Sequence, residues 1–374
     1  MGSITVLGNG ELGDGTRCVR AGMPLAAAGE PLNPQPVLTT QYVANGVDFY
    51  GGQSNPTWRA LESAIGDLDD GDCVLFPSGM AAITALLLTI LRAGDVVVLP
   101  ADGYYLVRKA IRDELGALRL DVREVPTRGP WTPDVLAGAR LVLVETPSNP
   151  GLDVCDIAAV AALAHAEGAL LAVDNTTATP LGQRPLELGA DIVLASDTKA
   201  LAGHSDVVLG HVSTVDSSIA ERLRVSRRSI GAAPGPLEVW LAHRGLGTLD
   251  LRLRRQESNA AALFDALRGH RNVRRPRWPG AVNDPAYPLA RKQMRRFPGV
   301  LGFELPDESA VRAFFAASEL VTEATSFGGL HSTADRRARW GDRVAPGFLR
   351  FSCGVEDSDD LVADVLAACD ATND

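Results

Sequence analysis

The chain has 374 residues and a formal net charge of -10, and hydrophobic and charged residues make up 46% and 22% of it. This composition is typical of a globular protein and excludes a disordered or fibrous chain. At about 100 to 200 residues per domain, the length predicts two or three units. A negative net charge without a sustained basic block argues against nucleic acid as a partner.

The cysteines and the hydrophobic stretches restrict the compartment. The 5 cysteines are scattered and never closely paired, so the sequence indicates neither a disulfide framework nor a zinc or other metal site. The first ten residues do not resemble a secretory signal, and the longest apolar run, around 81–91, is too short to span a bilayer. We therefore expect a cytoplasmic protein that does not contact membranes.

Three regions follow one another along the chain. Residues 1–54, rich in Gly, Pro and Asn, are predicted to form an extended N-terminal arm of the kind that packs on a partner subunit. Over 55–245 short apolar strands alternate with helical runs, which predicts an α/β domain with a mostly parallel sheet. Over 246–374 a long amphipathic stretch, a Pro- and Arg-rich connection at 274–288 and shorter mixed elements predict a smaller α+β C-terminal domain.

The α/β region also predicts where a ligand binds. The predicted strands are 96–99, 141–144, 170–173 and 192–194, and the predicted helices are 81–91, 106–115 and 157–167. Ligands of open α/β sheets bind at the carboxyl ends of the strands. The residues that directly follow these strands, and those that begin the first helix, are therefore the first candidates for a site.

Six residues at these positions have complementary chemistry: Gly79, Met80, Asp174, Ser196, Thr198 and Lys199. Taken singly, each has an ordinary structural explanation as a cap, a turn residue or a surface charge. Together they supply a helix N-terminus and two hydroxyls for a phosphate, a lysine that can form a Schiff base and a carboxylate that can hold a pyridinium nitrogen. Pyridoxal 5'-phosphate (PLP) fits this set better than any other cofactor.

Longer motifs extend this pattern in both directions along the chain. They are Asn55-Pro56-Thr57, Ser78-Gly79-Met80-Ala81-Ala82, Glu145-Thr146-Pro147-Ser148-Asn149-Pro150, Val173-Asp174-Asn175-Thr176, Ser196-Asp197-Thr198-Lys199, Gly203-His204-Ser205-Asp206, Ser326-Phe327-Gly328-Gly329 and Arg350-Phe351-Ser352-Cys353-Gly354. In this order they resemble the Cys/Met-metabolism (trans-sulfuration) family of PLP-dependent enzymes, from about residue 15 to 370. The resemblance implies the aminotransferase-like fold type I, with a seven-stranded sheet in the large domain.

The resemblance also implies roles for individual residues. Lys199 would carry the cofactor and shuttle protons, Asp174 would pair with the pyridine nitrogen, and Tyr104 would stack on the ring and act as acid or base. The remaining cofactor-binding residues implied are Gly79, Met80, Thr176, Ser196, Thr198 and Tyr50. Packing against a helix is the structural alternative for Tyr104, which Tyr105 adjoins. We expect Lys199 and Tyr104 to be partly deprotonated near neutral pH.

A second group of residues would bind the substrate amino acid. By resemblance, Arg350 grips the α-carboxylate in a bidentate manner that lysine could not reproduce, and Ser326 and Asn149 support that carboxylate. His331 stands where many γ-acting members have a glutamate near the distal end of the substrate. It either faces the substrate, where it would alter the preference for a distal ammonium, or lies at the rim without a specific contact.

Two further positions depart from the family pattern. The arginine of the usual Tyr-x-Arg segment, which reaches the cofactor phosphate of the neighbouring subunit, is Gly52 here, although Tyr50 remains. Arg108 follows the stacking tyrosine in a segment that differs from the family, and we interpret it as a surface helix residue. Loss of an arginine at 52 predicts weaker phosphate binding unless another cation replaces it.

The resemblance implies several related reactions. The first hypothesis is elimination at Cγ in the manner of cystathionine γ-lyase, which yields a thiol, a 2-oxo acid and ammonia. The alternatives are γ-replacement, as in cystathionine γ-synthase or O-acylhomoserine sulfhydrylase, and elimination of a non-sulfur γ-substituent in specialised metabolism. A catalytically silent scaffold is a further alternative, which retention of Lys199 and Arg350 disfavours. The family and the arm predict a homotetramer built as a dimer of dimers.

Overall fold

The structure is a computed structural model that describes residues 12–24 and 26–373. The strands are β1 (Asp72–Phe76), β2 (Val96–Pro100), β3 (Asp121–Val125), β4 (Ala139–Glu145), β5 (Leu170–Asp174), β6 (Ile192–Ala195), β7 (Gly210–Thr214), β8 (Arg274–Arg277), β9 (Val300–Glu304), β10 (Thr322–Glu323), β11 (Thr333–Arg336) and β12 (Phe348–Ser352). The helices are α1 (Asp14–Arg20), α2 (Pro56–Asp69), α3 (Gly79–Ile90), α4 (Tyr105–Asp113), α5 (Pro133–Leu136), α6 (Ile157–Ala166), α7 (Thr179–Gly182), α8 (Ser217–Ser229), α9 (Pro236–Leu246), α10 (Leu249–Leu267), α11 (Tyr287–Gln293), α12 (Glu308–Ala317) and α13 (Ser358–Asp370). Of these helices in the described residues, none is both long and apolar enough to cross a membrane.

The larger sheet of the described chain has seven strands in the order β1-β7-β6-β5-β4-β2-β3. β7 runs antiparallel to both of its neighbours, and the other pairs are parallel. Apolar side chains of the two faces pack against different helices, α3, α4 and α8 on one face and α2, α6 and α9 on the other. This confirms the predicted helix-covered, mostly parallel sheet.

The strand predictions succeeded only where the sequence is apolar. The four predicted strands correspond to β2, β4, β5 and β6, whereas β1, β3 and β7 were not recognised individually. β3 is an edge strand with four of its five residues at least partly exposed, so it lacks the apolar run of a buried strand. β7 is wholly buried but includes His211, Ser213 and Thr214, whose side chains find polar partners inside the protein.

The second sheet of the described residues has five strands in the order β10-β11-β12-β9-β8 and packs against α10, α12 and α13. The interpretation of 274–288 as a connection is wrong at its start, because residues 274–277 form β8. This strand lies at the sheet edge, where a proline such as Pro276 is tolerated. The arm is also not extended throughout, since it contains α1, while residues 1–11 lie outside the described part. The predicted domain boundary between residues 245 and 246 stays a prediction.

The register of the large sheet places three strand ends together. Glu145 at the end of β4 pairs with Asp174 at the end of β5, and Asp174 pairs with Leu194 near the end of β6. The N-terminus of α3 and residues of β12 meet at this same edge, where they enclose a cavity. The fold therefore joins distant parts of the chain at the carboxyl edge of the sheet.

Candidate active site

A cavity of about 330 Å³ lies at the carboxyl ends of β4, β5 and β6, a volume in the range of small-molecule sites. Eleven of the residues proposed from the sequence line it: Gly79, Met80, Tyr104, Asn149, Asp174, Thr176, Ser196, Thr198, Lys199, Ser326 and Arg350. Asp174 lies in the larger sheet and Arg350 in the smaller one, and the others stand in α3 and in loops. Their convergence supports a single site, while their individual roles stay predictions.

Lys199 has its amino group inside this cavity. The Nζ atom donates a hydrogen bond to Ser326 Oγ at 2.7 Å and lies 5.5 Å from the centroid of the Phe327 ring. Burial, and then the nearby charge of Arg350, lower the pKa of Lys199 to about 8. A desolvated lysine of this kind is a nucleophilic amine in a substantial fraction of molecules near neutral pH. This direction agrees with the expectation for Lys199.

Asp174 faces the same cavity from the end of β5. Its Oδ1 accepts hydrogen bonds from the Thr176 backbone N–H at 3.0 Å and from the Thr176 hydroxyl at 2.5 Å. Thr176 Oγ1 in turn accepts from the Ser196 N–H at 2.8 Å. Burial raises the pKa of Asp174 despite these hydrogen bonds. The carboxylate is thus held in one orientation, and a cationic partner in the cavity would favour its ionised form.

The N-terminus of α3 forms another wall. Ser78 caps the helix by accepting from the Ala81 N–H, and Gly79 and Met80, as its first residues, have no acceptor within the helix. A Cβ on Gly79 would lie 2.8 Å from Ser196 Cβ, so glycine allows this close approach. Thr198 lines the cavity, but its hydroxyl donates to the Leu209 carbonyl at 3.1 Å. The free N–H groups and Ser196 therefore make the better anion cradle.

Arg350 is buried on β12 and held from two sides. Its Nη1 donates to Asn149 Oδ1 at 2.6 Å, its Nη2 donates to the Ser326 carbonyl at 2.9 Å, and its Nε, buried, has no acceptor among the described residues. The guanidinium lies 5.1 Å from the Phe327 ring centroid. Burial lowers the pKa of Arg350 to about 10, so it remains a cation at neutral pH. A buried guanidinium with an unused N–H suits a carboxylate ligand.

Tyr104 lines the cavity at the start of α4. Its backbone N–H donates to Glu145 Oε2 at 2.6 Å, and its ring contacts Tyr105 edge to face. Burial raises the pKa of Tyr104, opposite to the direction that we expected, because desolvation outweighs the smaller effects of Arg337 and Arg350. The Tyr104 hydroxyl therefore keeps its proton near neutral pH.

Arg108 is not the surface residue that we expected. Its Nη1 donates to the carbonyls of Pro100 at 2.8 Å and Gly103 at 3.1 Å, which bracket the loop before Tyr104. The side chain therefore connects α4 to this loop. It supports the position of Tyr104 but does not line the cavity described above.

Two proposed site residues are not brought to the cavity. Tyr50 is 50% exposed, and its ring lies against Gly52, where a Cβ would be 3.0 Å from Tyr50 Cε1. His331 is exposed and outside the cavity lining, which matches its alternative interpretation as a rim residue. Within a single chain neither residue contacts the other candidates.

Among the cavity-lining residues that were not proposed from the sequence, Glu145, Phe327 and Arg337 bear most on the chemistry of the site. Glu145 and Phe327 stand inside motifs that we quoted, so their positions were an available signal. Burial and the charge of Asp174 raise the pKa of Glu145 well above its usual range, which favours the neutral form of this carboxyl group. Arg337 lies in a basic stretch that looks like a solvated surface, and nothing local indicates its burial.

The fold and this set of side chains define a PLP-dependent enzyme of fold type I. The family described as Cys/Met metabolism PLP-dependent enzyme matches residues 39–370. The chain belongs to this family, which confirms the resemblance, the cofactor and the predicted class of enzyme.

Several relatives resemble the chain over nearly its full length. It is 50% identical to a putative cystathionine gamma-lyase of Streptomyces coelicolor, over 97% of this chain and 95% of that protein. It is 37% identical to a cystathionine gamma-lyase of Bacillus subtilis, over 84% and 87%. A solved structure of cystathionine gamma synthase from Xanthomonas oryzae pv. oryzae, in complex with cystathionine, superposes with a TM-score of 0.93 at 34% identity, over 97% and 99%.

Proposed function

We propose that the enzyme eliminates a γ-substituent from an amino acid. Cystathionine is the first substrate with which this reaction should be tested. The observation that carries this proposal is the desolvated Lys199 amine in a cavity that also holds the buried Arg350 guanidinium and the Asp174 carboxylate. The 50% identity with a protein named as a putative cystathionine γ-lyase supports the choice of γ-elimination.

The residues of the cavity fit PLP. Lys199 would form the Schiff base, Asp174 would face the pyridine nitrogen, and the N–H groups of Gly79 and Met80 with the Ser196 hydroxyl would hold the phosphate. When bound, the cofactor supplies an electron sink for the pair released at Cα. No arginine at position 52 assists the phosphate, so the helix N-terminus would provide much of its binding.

Arg350 would orient the substrate by its α-carboxylate. The Nε atom without an acceptor, together with the cation, provides a charge-assisted site for one carboxylate oxygen. Asn149 and the Ser326 carbonyl fix the guanidinium plane, which lowers the ordering required when the substrate binds. The substrate Cα would then lie near Lys199 Nζ, since Ser326 contacts both residues.

The protonation states assign different tasks to Lys199 and Tyr104. With a pKa lowered to about 8, the Lys199 amine would take the proton from Cα and later return it. Tyr104, whose pKa is raised, would keep its hydroxyl proton and donate it to the departing γ-group. This division uses each residue in the form that burial favours.

The test is product analysis with a panel of γ-substituted amino acids. With cystathionine, γ-elimination yields cysteine, 2-oxobutyrate and ammonia, whereas β-elimination yields homocysteine, pyruvate and ammonia. The Lys199→Ala variant serves as the control for uncatalysed breakdown. Pyruvate as the main oxo acid, or release only from an amino acid with a non-sulfur γ-group, would overturn the proposed reaction and leave the family assignment intact.

The second candidate is γ-replacement, because a structure named as cystathionine γ-synthase superposes with a TM-score of 0.93. A synthase supplied with an O-acylhomoserine and a thiol forms a new thioether amino acid. A lyase releases the oxo acid and ammonia whether or not the thiol is present. The ratio of the two products at saturating thiol separates the candidates.

We further propose that the enzyme is a homotetramer, a dimer of dimers, to which the arm contributes. The arm residues exposed in the single chain include large apolar side chains: Leu38, Val43, Val47, Phe49 and Tyr50, between 50% and 92% exposed. Burial of such residues against a second copy would stabilise the assembly. Light scattering that returns the monomer mass at micromolar concentration would refute this. The cytoplasmic location stays a prediction.

A further inference from the structure

Arg337 is a buried cation at the cavity that the proposed reaction leaves unused. It begins the short 3₁₀ turn Arg337–Trp340 that follows β11, and only 3% of its surface is exposed. It lines the same cavity as Lys199, Tyr104 and Arg350. A guanidinium is expensive to bury unless anionic partners hold it.

Two aspartates hold Arg337 in place. Nη1 donates to Asp335 Oδ2 at 2.9 Å, Nε donates to Asp342 Oδ2 at 2.8 Å, and Nη2 lies 2.7 Å from Asp342 Oδ2. These contacts use three of the N–H groups that a guanidinium offers, which leaves one hydrogen on each Nη atom. These two hydrogens are available to a further anion such as a carboxylate, and the aspartates fix the orientation of the guanidinium in advance.

One aspartate serves several arginines at this edge of the cavity. Asp335 also lies 3.6 Å from Arg350 Nη2, so the two buried arginines share Asp335, while Asp342 contacts Arg337. Arg339 adds a third, partly exposed arginine 2.8 Å from Asp335, and it also pairs with Glu323 at 2.7 Å. The α-carboxylate requires only Arg350. A second fixed guanidinium at the cavity is redundant for a substrate with a neutral γ-group, but it matches a substrate with a second carboxylate.

We propose that Arg337 is a specificity-determining residue that binds a carboxylate at the far end of the γ-substituent. The substrate class is thus amino acids whose γ-substituent ends in a carboxylate, as in cystathionine and O-succinylhomoserine. Methionine and O-acetylhomoserine, which have no distal carboxylate, lie outside the preferred class. The inference rests on the proposed function for the reaction, but the binding preference is measurable without turnover.

The first experiment compares kcat/KM of the wild type and Arg337→Gln holoenzymes on these four substrates. We expect a loss of about 10- to 100-fold for cystathionine and O-succinylhomoserine, as for removal of a charge-assisted hydrogen bond, and a change below about threefold for methionine and O-acetylhomoserine. Arg336→Gln is the matched control, because Arg336 pairs with Glu308 at 3.2 Å and does not line the cavity. It should leave all four values within about threefold.

The second experiment uses two amino acids that cannot lose a γ-group, 2-aminopimelate and 2-aminoheptanoate, which differ only in a terminal carboxylate. Calorimetry with the wild-type holoenzyme should show at least about tenfold tighter binding of 2-aminopimelate, and Arg337→Gln should remove most of that difference. The binding measurement still tests the role of Arg337 if no γ-substituted amino acid is turned over. Absence of turnover would refute the proposed reaction but not the role of Arg337. Equal wild-type affinities, or an equal loss for both ligands in the variant, would overturn the role of Arg337.

Discussion

A buried histidine offers the sharpest test of the electrostatics inside this fold. His211 on β7 contacts Asp197 Oδ1 through Nδ1 at 2.6 Å and Asp69 Oδ2 through Nε2 at 3.0 Å, and all three side chains are at most 1% exposed. Asp69 also accepts from Ser213 Oγ at 2.8 Å. Asp197 directly precedes Thr198 and Lys199, so this cluster fixes the base of the loop that carries Lys199.

The expected magnitude follows from the titration of His211. Burial lowers its pKa, but the two aspartates outweigh this effect and raise the pKa from 6.5 to about 10. A raised pKa means that the folded protein binds the proton more tightly. The stabilisation is therefore complete below about pH 6.5 and falls by about 1.4 kcal/mol per pH unit until pH 10, a total of about 5 kcal/mol.

The test is the His211→Gln substitution. The free energy of unfolding of variant and wild type is measured by urea unfolding at several pH values and one fixed protein concentration. At pH 6.5 the variant should be about 3 to 5 kcal/mol less stable than the wild type, because two buried carboxylates lose their cation. The deficit should shrink as the pH approaches 9.5, since the wild type loses the imidazolium contribution. Comparing variant with wild type cancels the titration of other groups.

His165→Gln is the matched control. His165 Nε2 lies 2.9 Å from Asp191 Oδ2, but 46% of its side chain is exposed, so its substitution should cost less than about 1 kcal/mol. A His211→Gln deficit that stays constant from pH 6.5 to 9.5 would refute the reasoning, because it would show that the folded protein holds a neutral imidazole.

Other predictions concern catalysis. Lys199→Ala should abolish turnover and covalent attachment of PLP, as measured by borohydride reduction and mass spectrometry. With the Lys199 pKa near 8, cofactor-free protein should regain PLP about tenfold faster per pH unit below pH 8 and level off above it, and a flat rate would contradict this. Arg108→Met should lower kcat about tenfold by loosening the loop before Tyr104, while Arg112→Met, whose arginine is an exposed neighbour on α4, should not. Arg350→Lys should raise KM at least about tenfold for every substrate, because an ammonium lacks the planar set of N–H groups that reaches Asn149, the Ser326 carbonyl and the substrate carboxylate together.

Much of the site was predictable because its chemistry follows local signals. Asp174, Ser196 and Lys199 stand directly after apolar strands, and Gly79 begins a helix behind a capping serine. Parallel strands share one edge for their carboxyl ends, so the sequence order alone predicts that these residues converge. Arg350 and Ser326 required the resemblance, because no periodicity in the C-terminal region indicates which arginine faces the cavity.

The sequence by itself determined the cofactor, the family and the alternation of strands and helices, since these depend on residue order and on local hydrophobic pattern. Tertiary structure decided what surrounds each charged group. Arg337 and Arg108 look like surface residues in the sequence, because their own segments do not show which other parts of the chain cover them. His211 looks like an unremarkable strand residue, but it is held by Asp69 and Asp197 from other segments. Asp69 lies 142 positions before His211. Burial depends on such contacts between distant segments, and burial sets the pKa and the binding role of a side chain.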